Sequence, residues 1–145
     1  MYRIRNGAPE FLLGHPGGPL YGKKDDGNWG IPKGQTDDHE SDLLKVAERE
    51  FEEETSMKPH GPYMTLGSVE QKNNKTVYIW AFEGDADPTK LSSNLFDMEW
   101  PPKSGRIQQF PELDRLAFFD RKEAEKKIRQ EHTPFLNRLE EMLRK

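Results

Sequence analysis

The stretch Trp29–Met57, WGIPKGQTDDHESDLLKVAEREFEEETSM, decides how the rest of this chain is read. Its second half predicts a helix from about Ser41 to Thr55, with Leu44, Ala47 and Phe51 spaced to form one apolar arc. At about 100 degrees per residue, Glu50, Glu53 and Glu54 fall within another arc, while Glu48 and Glu52 point elsewhere with Lys45. Like charges at these spacings destabilise a bare helix by roughly 0.2–0.5 kcal/mol per pair. Here they also gather toward the helix C-terminus, where the macrodipole favours cations. The arrangement calls for a positive partner. Hard cations such as Mg2+ or Mn2+ take oxygen ligands, and carboxylates one turn apart can converge on them. Taken alone, the helix is equally readable as a solvated acidic face.

Upstream, Trp29-Gly30-Ile31 reads as a short strand that delivers Pro32-Lys33-Gly34 to the start of the loop before the helix. Together with Arg49-Glu50-Phe51-Glu52-Glu53-Glu54 it resembles the signature of the Nudix hydrolases, G-x5-E-x7-R-E-U-x-E-E-x-G-U with U a bulky apolar residue, and among them the NTP pyrophosphohydrolase-like members. The chain departs from that pattern at two places. The interval from Gly34 to Arg49 is one residue longer, so either Glu40 or Ser41 takes the place of the loop glutamate. Ser56 stands where the family has Gly, and a non-Gly residue in a left-handed helix-ending position costs of order 1 kcal/mol.

The resemblance implies an α/β chain with the Nudix fold, a mixed β-sheet sandwiched between α-helices, over residues 1–145 as one domain. It implies metal ligation by Glu50, Glu53 and Glu54 with the backbone carbonyl of Gly34, and an organising role for Arg49, whose planar fork Lys would not replace. Glu53 is the first choice for the general base. Glu112, in a loop from which some family members supply an extra carboxylate, is the second. Trp29, Lys33 and Arg106 are assigned to substrate binding, with a turn lysine as the alternative reading of Lys33 and an ordinary surface charge as that of Arg106.

Composition agrees with one water-soluble domain. The 145 residues suit a single core, and at 32% hydrophobic and 33% charged the core must be economical. Mean hydropathy is -1.00. Without Cys the chain has neither disulfides nor thiolate metal sites, and no apolar run approaches the roughly 20 residues of a membrane span. A cytoplasmic address is the default expectation. Net charge of -4 speaks weakly against bulk electrostatic binding of nucleic acid.

In chain order, Met1 to Arg5 predicts a strand, Asn6-Gly7 a turn and Phe11-Leu12-Leu13 a second strand. Family members carry more apolar residues ahead of the Tyr2-Arg3 position, so either the native start lies upstream of Met1 or the first strand is short. His15-Pro16-Gly17-Gly18-Pro19 and the Gly-rich run to Asn28 read as surface loop, since they lack a phosphate-cradling pattern. Tyr63–Gln71 and Thr76–Phe82 predict a hairpin whose second strand is apolar on both faces. Phe96, Met98 and Trp100 predict another strand, and Trp100–Arg106 a loop near the site in which Lys103 and Arg106 are candidate phosphate contacts. A last strand spans Leu116 to Phe119. Asp120 caps one helix with Glu123 in capping-box register, and Thr133-Pro134 opens another with Phe135, Leu139 and Met142 on one face.

The activity implied is metal-dependent hydrolysis of the pyrophosphate linkage in a nucleoside diphosphate joined to a group X, with a small-molecule nucleotide as substrate. The family's markers for dinucleoside polyphosphates and ADP-ribose fall near Asn74 and Lys72 and are absent, while the Trp29–Gly34 run resembles members acting on dinucleoside polyphosphates. Two alternatives stay open. One is processing of RNA 5' ends, for which Lys72, Lys75, Lys103 and Arg106 would be the basic track. The other is a non-catalytic nucleotide-binding module. Oligomeric state is not readable from the chain.

Overall fold

A computed structural model describes residues 1–32, 42–70 and 75–144. Strands β1 (Tyr2–Arg5) and β2 (Ala8–Pro16) form an antiparallel hairpin, with Asn6 and Gly7 both at positive φ, the geometry an Asn-Gly turn supplies cheaply. Helix α1 (Leu43–Thr55) follows, then β3 (Met64–Glu70) and β4 (Thr76–Ala81), which pair antiparallel. The pair β5 (Leu95–Glu99) and β6 (Ile107–Pro111) makes a separate hairpin. Strand β7 (Leu113–Asp120) returns to pair with β2, and helices α2 (Arg121–Lys127) and α3 (Thr133–Leu143) close the chain.

The sheet is mixed. Beyond β4 the chain runs parallel to β1, with the Tyr2 amide donating to the Phe82 carbonyl and the Gly84 amide to the Tyr2 carbonyl, so the β3-β4 pair is joined to β1-β2-β7. Alternation along the strands assigns the two faces. Phe11 and Leu13 of β2 and Val77, Ile79 and Ala81 of β4 pack with Ala124, Ile128, Phe135, Leu136 and Leu139 from the α2 and α3 side. Leu12 and Phe82 turn the other way and pack with Phe51 of α1. Helices therefore cover both faces, which is why β4 carries apolar residues at consecutive positions.

One expected boundary shifts slightly. Helix α1 begins at Leu43 because Asp42 caps it, its side chain accepting from the Lys45 amide. Val46 is more deeply buried than Leu44 or Ala47, which are half-buried beside Phe51. The Asp120 cap is present, with its carboxylate accepting from the Glu123 amide. Among the described residues, no helix is long and apolar enough to cross a membrane.

The Trp100–Arg106 run is the tip of the β5-β6 hairpin, closed by a hydrogen bond from the Trp100 amide to the Arg106 carbonyl. At about 3.3 Å per extended residue, Arg106 stands roughly 20 Å along the strand from Glu112. The expectation of a loop beside the site is corrected on that ground: strand pairing carries the tip to the hairpin's far end.

Candidate active site

The C-terminal end of α1 is where the site begins. Thr55 is fully buried and its hydroxyl donates to the Phe51 carbonyl, while Ser56 takes the left-handed conformation (φ 61) with its amide donating to the Glu52 carbonyl. The family's Gly position is thus a true left-handed cap occupied by Ser. Carbonyls left open at this end are taken up by the chain that follows β4: the Ser92 amide donates to Thr55 and the Asn94 amide to Glu53.

Asn94 then passes the connection on. Its carbonyl accepts from the Glu112 amide, and the Glu112 carbonyl accepts from the amide of Gly17. Ser93 fixes the neighbouring position, its hydroxyl both donating to the Leu113 carbonyl and accepting from the Leu113 amide. Glu112 is therefore held on both sides by backbone hydrogen bonds, at a fixed place relative to Glu53.

A cavity of about 400 Å³ opens between this assembly and the strand ends. Glu50, Glu53, Glu54 and Glu112 all line it, with Asn94 between their segments. Its other lining residues are Gly14 and Pro16 at the end of β2, Asn28, Gly30 and Ile31, Leu113, and Arg129 and His132 beyond α2. That wall is also backbone-tied: Gly14 and Gly30 exchange amide–carbonyl bonds, and the Arg129 amide donates to the Trp29 carbonyl at 2.7 Å.

Charge crowding is visible in Glu50. Burial raises its carboxyl above the ordinary range, the Glu53 carboxylate raises it further, Arg49 opposes this, and Glu112 adds to it. Arg49 reaches both neighbours, with N···O separations of 3.7 Å to Glu50 and 3.9 Å to Glu53.

All four carboxylates offer oxygen donors only, the chemistry a hard divalent cation takes. Among the described residues no three acidic or imidazole groups already stand close enough to make a closed ligand set. Lys33, Gly34, Glu40 and Ser41 lie outside the described residues. The donor set fits Mg2+ or Mn2+ held jointly by protein and substrate oxygens, since Mg2+ is commonly bound through one or two carboxylates plus phosphates.

Two expected substrate contacts lie elsewhere. Trp29 is buried in the core at 4% exposure, its indole N–H donating to Asp25 and its ring meeting His15 and Phe119 edge-on; its neighbours Asn28 and Gly30 line the cavity instead. Arg106 is at the hairpin tip. His15 is fully buried with Nδ1 against Asp114 and Nε2 against the Lys24 carbonyl, a structural post rather than a substrate contact. Asn28, Asn94, Arg129 and His132 are lining residues that sequence reading passed over. No local spacing marks them, because each is brought in by long-range backbone pairing.

The backbone resembles that of the NUDIX domain of Shewanella oneidensis NrtR, solved in complex with ADP ribose, with TM-score 0.63 and 14% identity over 98% of this chain and 82% of that one. It also resembles a C. elegans Ap4A hydrolase solved as a binary complex, with TM-score 0.59 and 22% identity over 99% of this chain and 92% of that one. No curated protein sequence matches the chain. A family model of the NUDIX domain matches residues 2–139, and with the glutamates of α1 gathered in one cavity the chain belongs to the Nudix family.

Proposed function

We propose that this protein hydrolyses the pyrophosphate linkage of a nucleoside diphosphate joined to a further group. The observation that carries this reading is the convergence of Glu50, Glu53, Glu54 and Glu112 on one cavity, with Arg49 reaching the first two. Both similar structures concern ligands built on phosphoanhydride linkages, ADP ribose in one and Ap4A in the other by the enzyme's name.

Glu50, Glu53 and Glu54 are the side chains that would hold Mg2+ or Mn2+, with Gly34 as a carbonyl donor. When bound, the ion supplies neutralisation of phosphate oxygens and a bound water that ionises more readily. Glu53, at 44% side-chain exposure the more open of the two carboxylates that Arg49 reaches, accepts the proton of the attacking water. The water oxygen bonds to phosphorus as the bridging P–O bond breaks, and the bridging oxygen leaves on the second phosphate-bearing product. Arg49 holds Glu50 and Glu53 in register through their carboxylates. Glu112, fixed on the facing segment, is the second candidate for the base.

The test is product analysis by mass spectrometry on nucleoside triphosphates, dinucleoside polyphosphates, nucleotide sugars, ADP-ribose and triphosphorylated RNA, with Mg2+ or Mn2+. Glu53→Gln should lower kcat by about 10²–10⁴-fold while the protein stays folded. Unchanged turnover in Glu53→Gln with loss in Glu112→Gln would move the base to Glu112. No turnover of any substrate by the folded, metal-loaded wild type would refute the hydrolase reading. Of the basic residues named for an RNA track, Lys75, Lys103 and Arg106 do not line the cavity, and Lys72 lies outside the described residues.

A further inference from the structure

The cavity is not acidic throughout. Arg129 lines it from the wall built on Gly14 and Gly30, its own backbone bonded to Trp29 and His132 and not to α1, Asn94 or Glu112. Among the described residues no carboxylate pairs with its guanidinium and no carbonyl accepts from it. An arginine that lines a cavity with four glutamates yet is bonded to none of them keeps its donors open to a ligand. Its anchor is rigid: the Arg129 amide donates to the Trp29 carbonyl, and its carbonyl accepts from the His132 amide. Its stem runs past Gly30, where a side chain would stand 3.7 Å from the Arg129 Cδ.

Resting on the hydrolase reading of the acidic wall, we infer that Arg129 binds a phosphate beyond the two that flank the bond being cut, and that the substrate carries three or more consecutive phosphates. The division of labour follows from charge. The glutamate wall, through cations, serves the scissile pyrophosphate, and a diphosphate-linked substrate needs nothing more from the protein there. A separate guanidinium on the other wall is a further anion site beside the oxygens that the cations hold. A third phosphate supplies the anion, and the planar fork matches its oxygens in a way a point charge does not.

Calorimetry with inorganic pyrophosphate and inorganic tripolyphosphate, using Ca2+ in place of Mg2+ to hold back turnover, reads this without relying on catalysis. Wild type should bind tripolyphosphate about tenfold to hundredfold more tightly than pyrophosphate, the range expected of hydrogen bonds to a charged group. Arg129→Gln should abolish that preference and leave pyrophosphate affinity within about twofold. Arg129→Lys, which keeps charge and stem, should retain a reduced preference, and it serves as the measurement if the Gln variant melts early. A wild type that does not prefer tripolyphosphate, or variants that weaken both ligands equally or neither, would overturn the inference. The hydrolase reading fails separately, by absence of turnover across the substrate panel while the Arg129-dependent preference persists.

Discussion

Glu50 shows how a single side chain carries the tension of the site. Its carboxyl is raised by burial, by Glu53 and by Glu112, with Arg49 only partly offsetting them. A carboxyl whose folded value lies above its unfolded one favours folding when protonated, so this contribution is complete below the ordinary carboxylate range and is lost as pH rises through the folded value. At neutral pH, without metal, ionised Glu50 therefore works against the fold. Glu50→Gln, which cannot ionise, should be more stable than wild type in urea melts at pH 7 with chelator present, and the difference should close as pH falls toward about 4. Equal stability at both pH values would show that the crowding has no thermodynamic consequence. Sequence periodicity made the three glutamates legible, since helical geometry alone puts them on one arc. It could not separate Trp29 from its neighbours: an aromatic beside a site motif reads as a ligand contact, whereas here the indole fills the core and only the flanking Asn28 and Gly30 reach the cavity.

Among the elements, the end of α1 and the segment it captures matter most. Ser56 bears the cost of a left-handed conformation, but its hydroxyl also accepts from the Ser92 amide, which helps dock the segment leading to Asn94. The two contributions separate by substitution. Ser56→Ala keeps the backbone cost and loses the hydroxyl, so it should destabilise by roughly 0.5–1.5 kcal/mol. Ser56→Gly loses the same hydroxyl but relieves the backbone, so it should be more stable than the Ala variant by about 1 kcal/mol in denaturant titrations. An Ala variant as stable as the Gly variant would mean the left-handed position carries no cost here. Helix α1, the β3-β4 pair and the capped α2 were legible because each rests on local pattern, the caps and the alternation; the expected turn at Lys72-Asn73-Asn74 lies outside the described residues. The β5-β6 hairpin was half legible. Its first strand shows alternation, but the pairing of Leu95 with Pro111 and of Glu99 with Ile107 is what sends Arg106 to the far end, and no local signal specifies that register.

At the scale of the whole molecule, the described part of the site is a meeting of six chain segments: the end of β2, the stretch around Gly30, the end of α1, Asn94, Glu112 with Leu113, and Arg129 with His132. Gly17 illustrates how tightly they meet, since a Cβ there would lie 1.9 Å from the Pro111 carbonyl oxygen, so only Gly permits the Gly17–Glu112 contact. Such meetings are tertiary facts, which is why the motif was readable in the sequence and the second wall was not. The crowding at Glu50 costs the metal-free fold, and a cation bound beside it would offset that cost. A ligand bound only by the native state stabilises by an amount set by its concentration over Kd, about 2.7 kcal/mol at a hundredfold excess. For a chain of this size that corresponds to a Tm increase of about 5–10 °C. Mg2+ or Mn2+ titrated into chelator-treated wild type should produce a shift of that order, whereas Glu50→Gln should lose most of it. The two proteins should then exchange order: the Gln variant melts higher without metal, and wild type melts higher with it. An unshifted wild type would mean that the fold binds no such cation, and the same shift in both proteins would place the cation away from Glu50.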